Sequence, residues 1–235
     1  MTETNSLLSV LKLSKSFGRK EILREVSFQV NAGEIVCLVG PNGSGKTTIL
    51  KSIAGIYRSD LGSIMYSGKP SREIDKEQIG YLPEERGLFQ KESVISQAKY
   101  FSALKGMSKN EFEESFSFLA HALDLEEKAN QKVGELSLGN QQRVQWLITL
   151  IHKPRILLLD EPFNGLDPHS LKIIKQLLFQ LKAEGVGILF SSHQLLYIEE
   201  IAERILLIKS GQIENEILGE DQIDLTLEYE KTYHG

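Results

Sequence analysis

Residues 40–48 read Gly40, Pro41, Asn42, Gly43, Ser44, Gly45, Lys46, Thr47, Thr48, a G-x-x-x-x-G-K-[ST] spacing. It follows the apolar run Glu34-Ile-Val-Cys-Leu-Val39 and precedes the helical-looking Ile49-Leu-Lys-Ser-Ile-Ala54. In that strand-to-helix setting the spacing is a phosphate-binding loop. Its glycines let successive backbone N–H groups turn inward on a polyphosphate, and the helix that follows adds the positive end of its dipole. Lys46 supplies a point charge at the β/γ oxygens, and the Thr47 hydroxyl can ligate Mg²⁺. The competing reading is a solvated glycine-rich turn.

A second constellation is Ile156-Leu-Leu-Leu-Asp-Glu161. Four apolar residues ending in two acids describe a buried parallel strand that delivers carboxylates to its C-terminal edge, where open α/β sheets bind ligands. Downstream of a phosphate loop, Asp160 is expected to hold Mg²⁺ through water. Glu161 is expected to orient and deprotonate the water that attacks a γ-phosphate. Without such a loop the same residues would read as a strand ending in solvated acids.

Several elements must position these groups. Leu7 to Phe17 and Glu21 to Val30 alternate as paired strands, with Phe17-Gly18-Arg19-Lys20 as the turn between them. Short strand-like pieces, Ser63-Ile-Met-Tyr66 and Ile79-Gly-Tyr-Leu82, flank a turn at Gly68-Lys-Pro70. From about Ser93 to Asn130 the period turns helical, with Phe112, Phe116, Leu119 and Leu123 three and four apart. The strand Arg155 to Asp160, a helix around Ser170 to Glu184, and strands Gly187 to Phe190 and Arg204 to Ile208 restore an α/β alternation. The expected fold class is α/β: a nucleotide-binding core with an antiparallel β subdomain and an inserted α-helical subdomain. The expected division is a core over about 8–84 and 152–215, a helical subdomain over about 85–151, and an acidic tail over 216–235.

The 235 residues suffice for one such domain. Hydrophobic residues at 41% and charged residues at 25% fit a soluble protein. No stretch approaches 18 apolar residues, and the N-terminus lacks a basic region followed by an apolar one, so a cytoplasmic location is expected. Cys37, the one cysteine, lies in the strand before the loop and is expected to be an inert core residue. Of the net charge of −5, the last 25 residues carry −6, leaving a near-neutral body. That balance gives no support for nucleic-acid binding, and the tail reads as a solvated end.

Between the two constellations lies Leu136-Ser-Leu-Gly-Asn-Gln-Gln-Arg143, followed by the apolar helix Val144 to Ile151. Together with Asn164-Gly-Leu-Asp167 and with His193 in Phe190-Ser-Ser-His-Gln194, these segments resemble, in their order, an ABC-type ATPase, the nucleotide-binding subunit of an ATP-binding-cassette transporter. The resemblance covers about residues 8 to 215. It implies that Ser137 and Gly139, at the opening of a helix, face the ATP bound by the opposite protomer, an identical or a different nucleotide-binding subunit. A helix N-terminus offers bare N–H groups and dipole to a γ-phosphate, although Ser137 read by itself is an ordinary N-cap. The family usually has Gly, Gly and Gln where this chain has Leu138, Gly139 and Asn140.

The same resemblance makes His193 the switch histidine that contacts the γ-phosphate and holds the water of Glu161 in line. Taken alone it would be a packed or solvated residue. Asp167 is implied to cross the dimer interface and couple the two sites. Phe17 is implied to stack on adenine, the alternative being a core phenylalanine. Where the family shows a Gln that reaches Mg²⁺ and the attacking water, Tyr81-Leu-Pro-Glu-Glu-Arg86 has Glu84, a carboxylate that can ligate the metal with more charge. Tyr81 to Leu88 and Gly139-Asn-Gln-Gln142 resemble the ATPases of bacterial two-component exporters.

The resemblance therefore implies ATP and Mg²⁺ as ligands, a second nucleotide-binding subunit, and a separate transmembrane permease whose cytoplasmic helix docks beside Glu84 to Gln90. A non-transport ATPase acting on DNA or ribosomes is the alternative. It would bring a long coiled-coil insert, a second cassette or a basic surface. A regulatory, non-hydrolysing cassette would be expected to lack Glu161 or Lys46.

Overall fold

The computed structural model describes residues 6–71, 78–219 and 224–234. β1 (Ser6–Phe17) and β2 (Lys20–Asn31) form an antiparallel hairpin. β4 (Leu61–Tyr66) and the short β5 (Lys69–Pro70) extend it into a four-stranded sheet ordered β2-β1-β4-β5. The turn expected at residues 68–70 is tighter. Ser67 and Gly68, both at positive φ, make it, and Lys69–Pro70 already pairs back on Met65 and Tyr66.

A second sheet holds β3 (Ile35–Val39), β6 (Ile79–Leu82), β7 (Ile156–Asp160), β8 (Gly187–Ser192), β9 (Arg204–Lys209) and β10 (Gln212–Leu218), in the order β10-β9-β3-β8-β7-β6. The pairs among β9, β3, β8, β7 and β6 are parallel, and β10 is antiparallel on β9. All five residues of β3 and of β7 are buried, as expected of parallel strands covered on both faces. The strand period of two sorts them. Ile35, Cys37 and Val39 join the core shared with the helices, whereas Val36 and Leu38 join the core shared with the four-stranded sheet. Cys37 is fully buried, and its burial holds the thiol well above its ordinary pKa, so it stays an unreactive apolar side chain.

α1 (Lys46–Ile53) leaves the loop after β3. Between β6 and β7 the chain forms α2 (Val94–Leu104), α3 (Lys109–Ala122) and α4 (Leu138–Leu150). Ser93, Ser108 and Ser137 cap them, Ser108 through a capping box with Glu111. Each such cap is worth about 1 kcal/mol. α4 begins directly after Ser137, as its reading as an N-cap implies, six residues before the apolar run. Its first turns are polar but inward-facing, with Gln142, Arg143 and Gln145 buried.

α5 (Pro168–Ala183) follows β7, and the short α6 (Leu195–Ile201), which the sequence pattern does not reveal, joins β8 to β9. The solvated-end reading of the tail needs correction. β10 pairs with β9, and α7 (Leu225–His234) packs back with Leu225 buried and Tyr229 and Tyr233 against the helical core. Glu214, Glu216 and Glu230 stay exposed, so charge faces water while the apolar residues between them hold the segment down. Glu220 and Asp221 lie outside the described residues. Among the described residues no helix is long and apolar enough to cross a membrane.

Candidate active site

The strand β3 ends at Val39 and the chain turns through 40–45 into α1. Gly43 and Gly45 take φ of 80° and 114°, a region a side chain disfavours. Gly40 has a different reason to be glycine: a Cβ there would lie 2.4 Å from the carbonyl oxygen of Ile208. No side chain caps α1, whose N-cap is Gly45, so its first-turn N–H groups are left bare for an anion. The Lys46 ammonium folds back over the loop and donates to Gly40 O at 2.7 Å and Pro41 O at 3.3 Å. Burial lowers its pKa, and the charges of Glu161 and Asp160 oppose that shift.

Asp160, at the end of β7, accepts from Thr47 Oγ1 at 3.0 Å and from Ser191 Oγ at 2.8 Å on the same carboxylate oxygen. The Glu161 N–H donates to Ser191 Oγ at 3.0 Å. Ser191, which no sequence motif marked, therefore ties both acids to β8. Only the parallel register, Asp160 opposite Ser191, reveals it. Glu161 is a non-glycine residue at φ 48°, a strained conformation costing about 1–3 kcal/mol that the surrounding bonds must hold. Its buried carboxylate lies 3.0 Å from Nδ1 of the half-exposed His193. Gln194, next in the chain, donates to Asn164 Oδ1 at 2.8 Å, joining the His193 segment to the loop after β7; this contact, too, was not read from the sequence.

A cleft of about 380 Å³ opens over these groups. It is lined by Asn42, Gly43, Gly45, Lys46, Thr47, Thr48, Glu84, Glu161 and His193, together with Lys20 and Ile22 from β2. The segment carrying Glu84 is held by α4: Gln145 Nε2 donates to Pro83 O at 2.8 Å, and Arg86 Nε donates to Gln142 Oε1 at 3.1 Å. The donors available to a divalent cation are hard oxygens: the Thr47 hydroxyl and the Asp160 carboxylate in direct contact, and Glu84 on the cleft wall. That set suits Mg²⁺.

Of the expected residues, Gly40, Pro41, Ser44 and Asp160 lie in the loop or at the strand end without lining the cleft, and four more lie away from it. Phe17 projects from the end of β1, half-exposed and edge-on to Tyr57, with the Lys15 ammonium over its ring, so it is not a core residue. Ser137 is exposed and caps α4 through Asn140 N–H. Gly139 sits against Asp167, whose Oδ2 is 2.4 Å from where a Cβ would stand. Asp167 caps α5 by accepting from Ser170 N–H at 2.9 Å and from its hydroxyl at 2.8 Å, bonds that hold the carboxyl below the usual range. Ser137, Gly139 and Asp167 thus belong to the α4 and α5 N-termini rather than to the wall of this chain's own cleft.

An apolar groove of about 430 Å³ lies beyond Glu84, walled by Leu88, Phe101, Leu104, Ile148 and His152. His152 Nε2 is 3.0 Å from Ile79 O. Burial, reinforced by the charge of Lys105, lowers its pKa from 6.5 to about 4. Well above pH 6.5 the ring is neutral folded or unfolded and contributes no pH dependence. As pH falls toward 4 the unfolded chain takes up a proton that the folded chain refuses, and stability is lost. Between pH 7.5 and 5 that loss is expected to be about 2 kcal/mol. Denaturant midpoints of the parent and of His152→Gln at both pH values check it: the variant should lose less stability than the parent over that interval.

Comparison with known proteins gives consistent matches. A family model described as ABC transporter matches residues 23–164. An uncharacterised ABC transporter ATP-binding protein of Methanocaldococcus jannaschii is 43% identical over 205 residues, which is 87% of this chain and 75% of that protein. The lantibiotic transport ATP-binding protein SrtF of Streptococcus pyogenes is 34% identical over 220 residues, 93% of this chain and 94% of that one. Among solved structures, a dimeric ATP-binding cassette described in a post-hydrolysis state with ADP and Pi bound superposes with a TM-score of 0.81 at 26% identity. The match covers 91% of this chain and 99% of that one.

Proposed function

Because the chain belongs to the ABC transporter family as an ATP-binding subunit, we propose that it hydrolyses ATP to drive export through a separate membrane-spanning permease. The observation that carries the chemistry is the convergence of Lys46, the Thr47–Asp160 pair and the Glu161–His193 pair on one cleft. Lys46, Thr47 with Asp160, and Glu161 with His193 are each paired with neighbouring groups. The Lys46 ammonium leaves the Gly40 and Pro41 carbonyls for the β/γ oxygens, while the loop N–H groups and the bare end of α1 take the rest of the polyphosphate. Thr47, Asp160 and Glu84 would hold Mg²⁺, which when bound neutralises charge between the β- and γ-phosphates. Glu161 accepts the proton of the attacking water, and His193 keeps that carboxylate and the water in line.

Ser137 and Gly139 complete the site of a second copy, with Asp167 beside them linking the two cleft faces. Binding then closes the pair and hydrolysis reopens it. The exposed Phe17 ring stacks on adenine without reading its edge. Phe17→Ala is expected to weaken ATP binding by about 1–3 kcal/mol, the scale of base–aromatic stacking, and Phe17→Tyr to be nearly silent. Nucleotide titration of the folded variants checks this.

The permease contributes a cytoplasmic helix to the apolar groove, whose rim carries the exposed Leu104 and Ile56. This association places the chain peripherally on the inner face of the membrane. Export is supported by the lantibiotic-transport relative and by the Tyr81 to Leu88 segment. The test is purification from detergent-solubilised membranes of the source cell. A stoichiometric partner with several membrane spans is expected, and Leu104→Glu should lose it while leaving ATP turnover of the free chain intact. Copurification instead with ribosomal or DNA-bound proteins would reject the transport reading.

A further inference from the structure

The helix α7 reaches the end of β3, the residue before the phosphate loop. The Tyr233 hydroxyl reaches both Val39 O and Ile208 O at 3.0 Å. Val39 is the last residue of β3, and the next residue, Gly40, opens the loop. Ile208 O is also the oxygen that Gly40 closely approaches, within 2.4 Å of where a Cβ would stand. The single hydroxyl proton is therefore shared between the carbonyl that precedes Gly40 and the one that Gly40 closely approaches. α7 is held there by the buried Leu225, by Tyr229 and Tyr233 packed against the helical core, and by Lys209 Nζ donating to Thr232 O at 2.6 Å near the helix C-terminus. The helix packs on β9 and also on α6, which begins two residues after His193. It therefore packs beside the bases of two segments that line the same cleft, the phosphate loop and the His193 turn.

We propose that Tyr233 is a positioning residue for the phosphate loop and that docking of α7 and nucleotide binding stabilise one another. The inference rests on the nucleotide-site reading above and adds a regulatory element to it. Coupling between two sites must be reciprocal, so the inference can be read from either end.

Tyr233→Phe removes one hydroxyl and keeps the ring. In hydrogen exchange without nucleotide, amides of residues 40–45 should exchange several-fold faster in this variant at nearly unchanged thermal midpoint. The KM for ATP should rise roughly three- to tenfold, the scale of one lost hydrogen bond, with kcat little changed. In the unmodified chain, saturating Mg-ATP should slow exchange across 225–233 as well as across 40–48. That arm needs no variant and decides the matter if Tyr233→Phe folds poorly.

Unchanged exchange at 40–45 in the variant, with ATP leaving 225–233 unaffected in the parent, would overturn the inference. A lowered thermal midpoint with KM unchanged would mean that Tyr233 only supports the fold. If the parent binds no ATP, the nucleotide reading fails, and the nucleotide-free comparison of 40–45 still decides the role of Tyr233.

Discussion

Lys46→Ala is expected to remove measurable ATP binding, raising the dissociation constant roughly 100-fold or more. The ammonium is the one cation of the loop, already placed within 2.7 Å of Gly40 O, and is expected to swing only a short way to reach the β/γ oxygens. Charge-assisted hydrogen bonds contribute about 1.5–3 kcal/mol each, and two are lost together with the cation. The deletion also strips the neighbouring Asp160 and Glu161 carboxylates of their counter-charge, so a tetra-anionic ligand would meet two uncompensated acids. Titration with a fluorescent ATP analogue measures the effect. Affinity retained within a few-fold of the parent would mean that the loop does not hold the polyphosphate.

Glu161→Gln has an equally large effect of a different kind. The amide keeps the shape of the carboxylate beside His193 Nδ1 and keeps the bonds from Ser191 that fix this turn, because those run to Asp160 and to the backbone N–H. Only the base is removed. Turnover is expected to fall by about 10²–10⁴, the usual worth of a positioned base, while ATP affinity stays within a few-fold. A steady-state assay run beside the binding titration separates the two quantities.

The parallel strands and the groups at their edge were legible because burial on both faces leaves an unbroken apolar run, and because the phosphate loop and the Asp160–Glu161 pair sit directly at the ends of such runs. The rest was hidden where local pattern and tertiary role part company. Ser191 is one serine of two at the end of β8, and only the register of β7 on β8 shows that it bridges both acids. The start of α4 is marked by its cap, Ser137, and not by apolar periodicity, because Gln142, Arg143 and Gln145 are polar side chains that turn inward to hold Pro83, Arg86 and the chain near Asp124. The tail was read from its charge, yet Leu225, Tyr229 and Tyr233 recur every four residues and dock it. That spacing was visible, but seven acids outweighed it. For Phe17 strand position and distance to the loop favour contact with the base over a place in the core, and its exposure removes the core alternative.

Ser137 and Gly139 sit outside this chain's cleft, Gly139 against Asp167, and that separation gives the proposed mechanism its most exposed consequence. If a second copy supplies them, the Glu161→Gln chain, which binds ATP without consuming it, should accumulate in the closed pair. Sedimentation of Glu161→Gln with and without Mg-ATP is the direct measurement. A monomer without nucleotide and a dimer at saturating Mg-ATP are expected, with the dimer abolished by a further Ser137→Arg, whose bulky cation blocks the contact across the interface. A profile that stays monomeric at saturating Mg-ATP, or a dimer indifferent to Ser137→Arg, would contradict the shared-site mechanism.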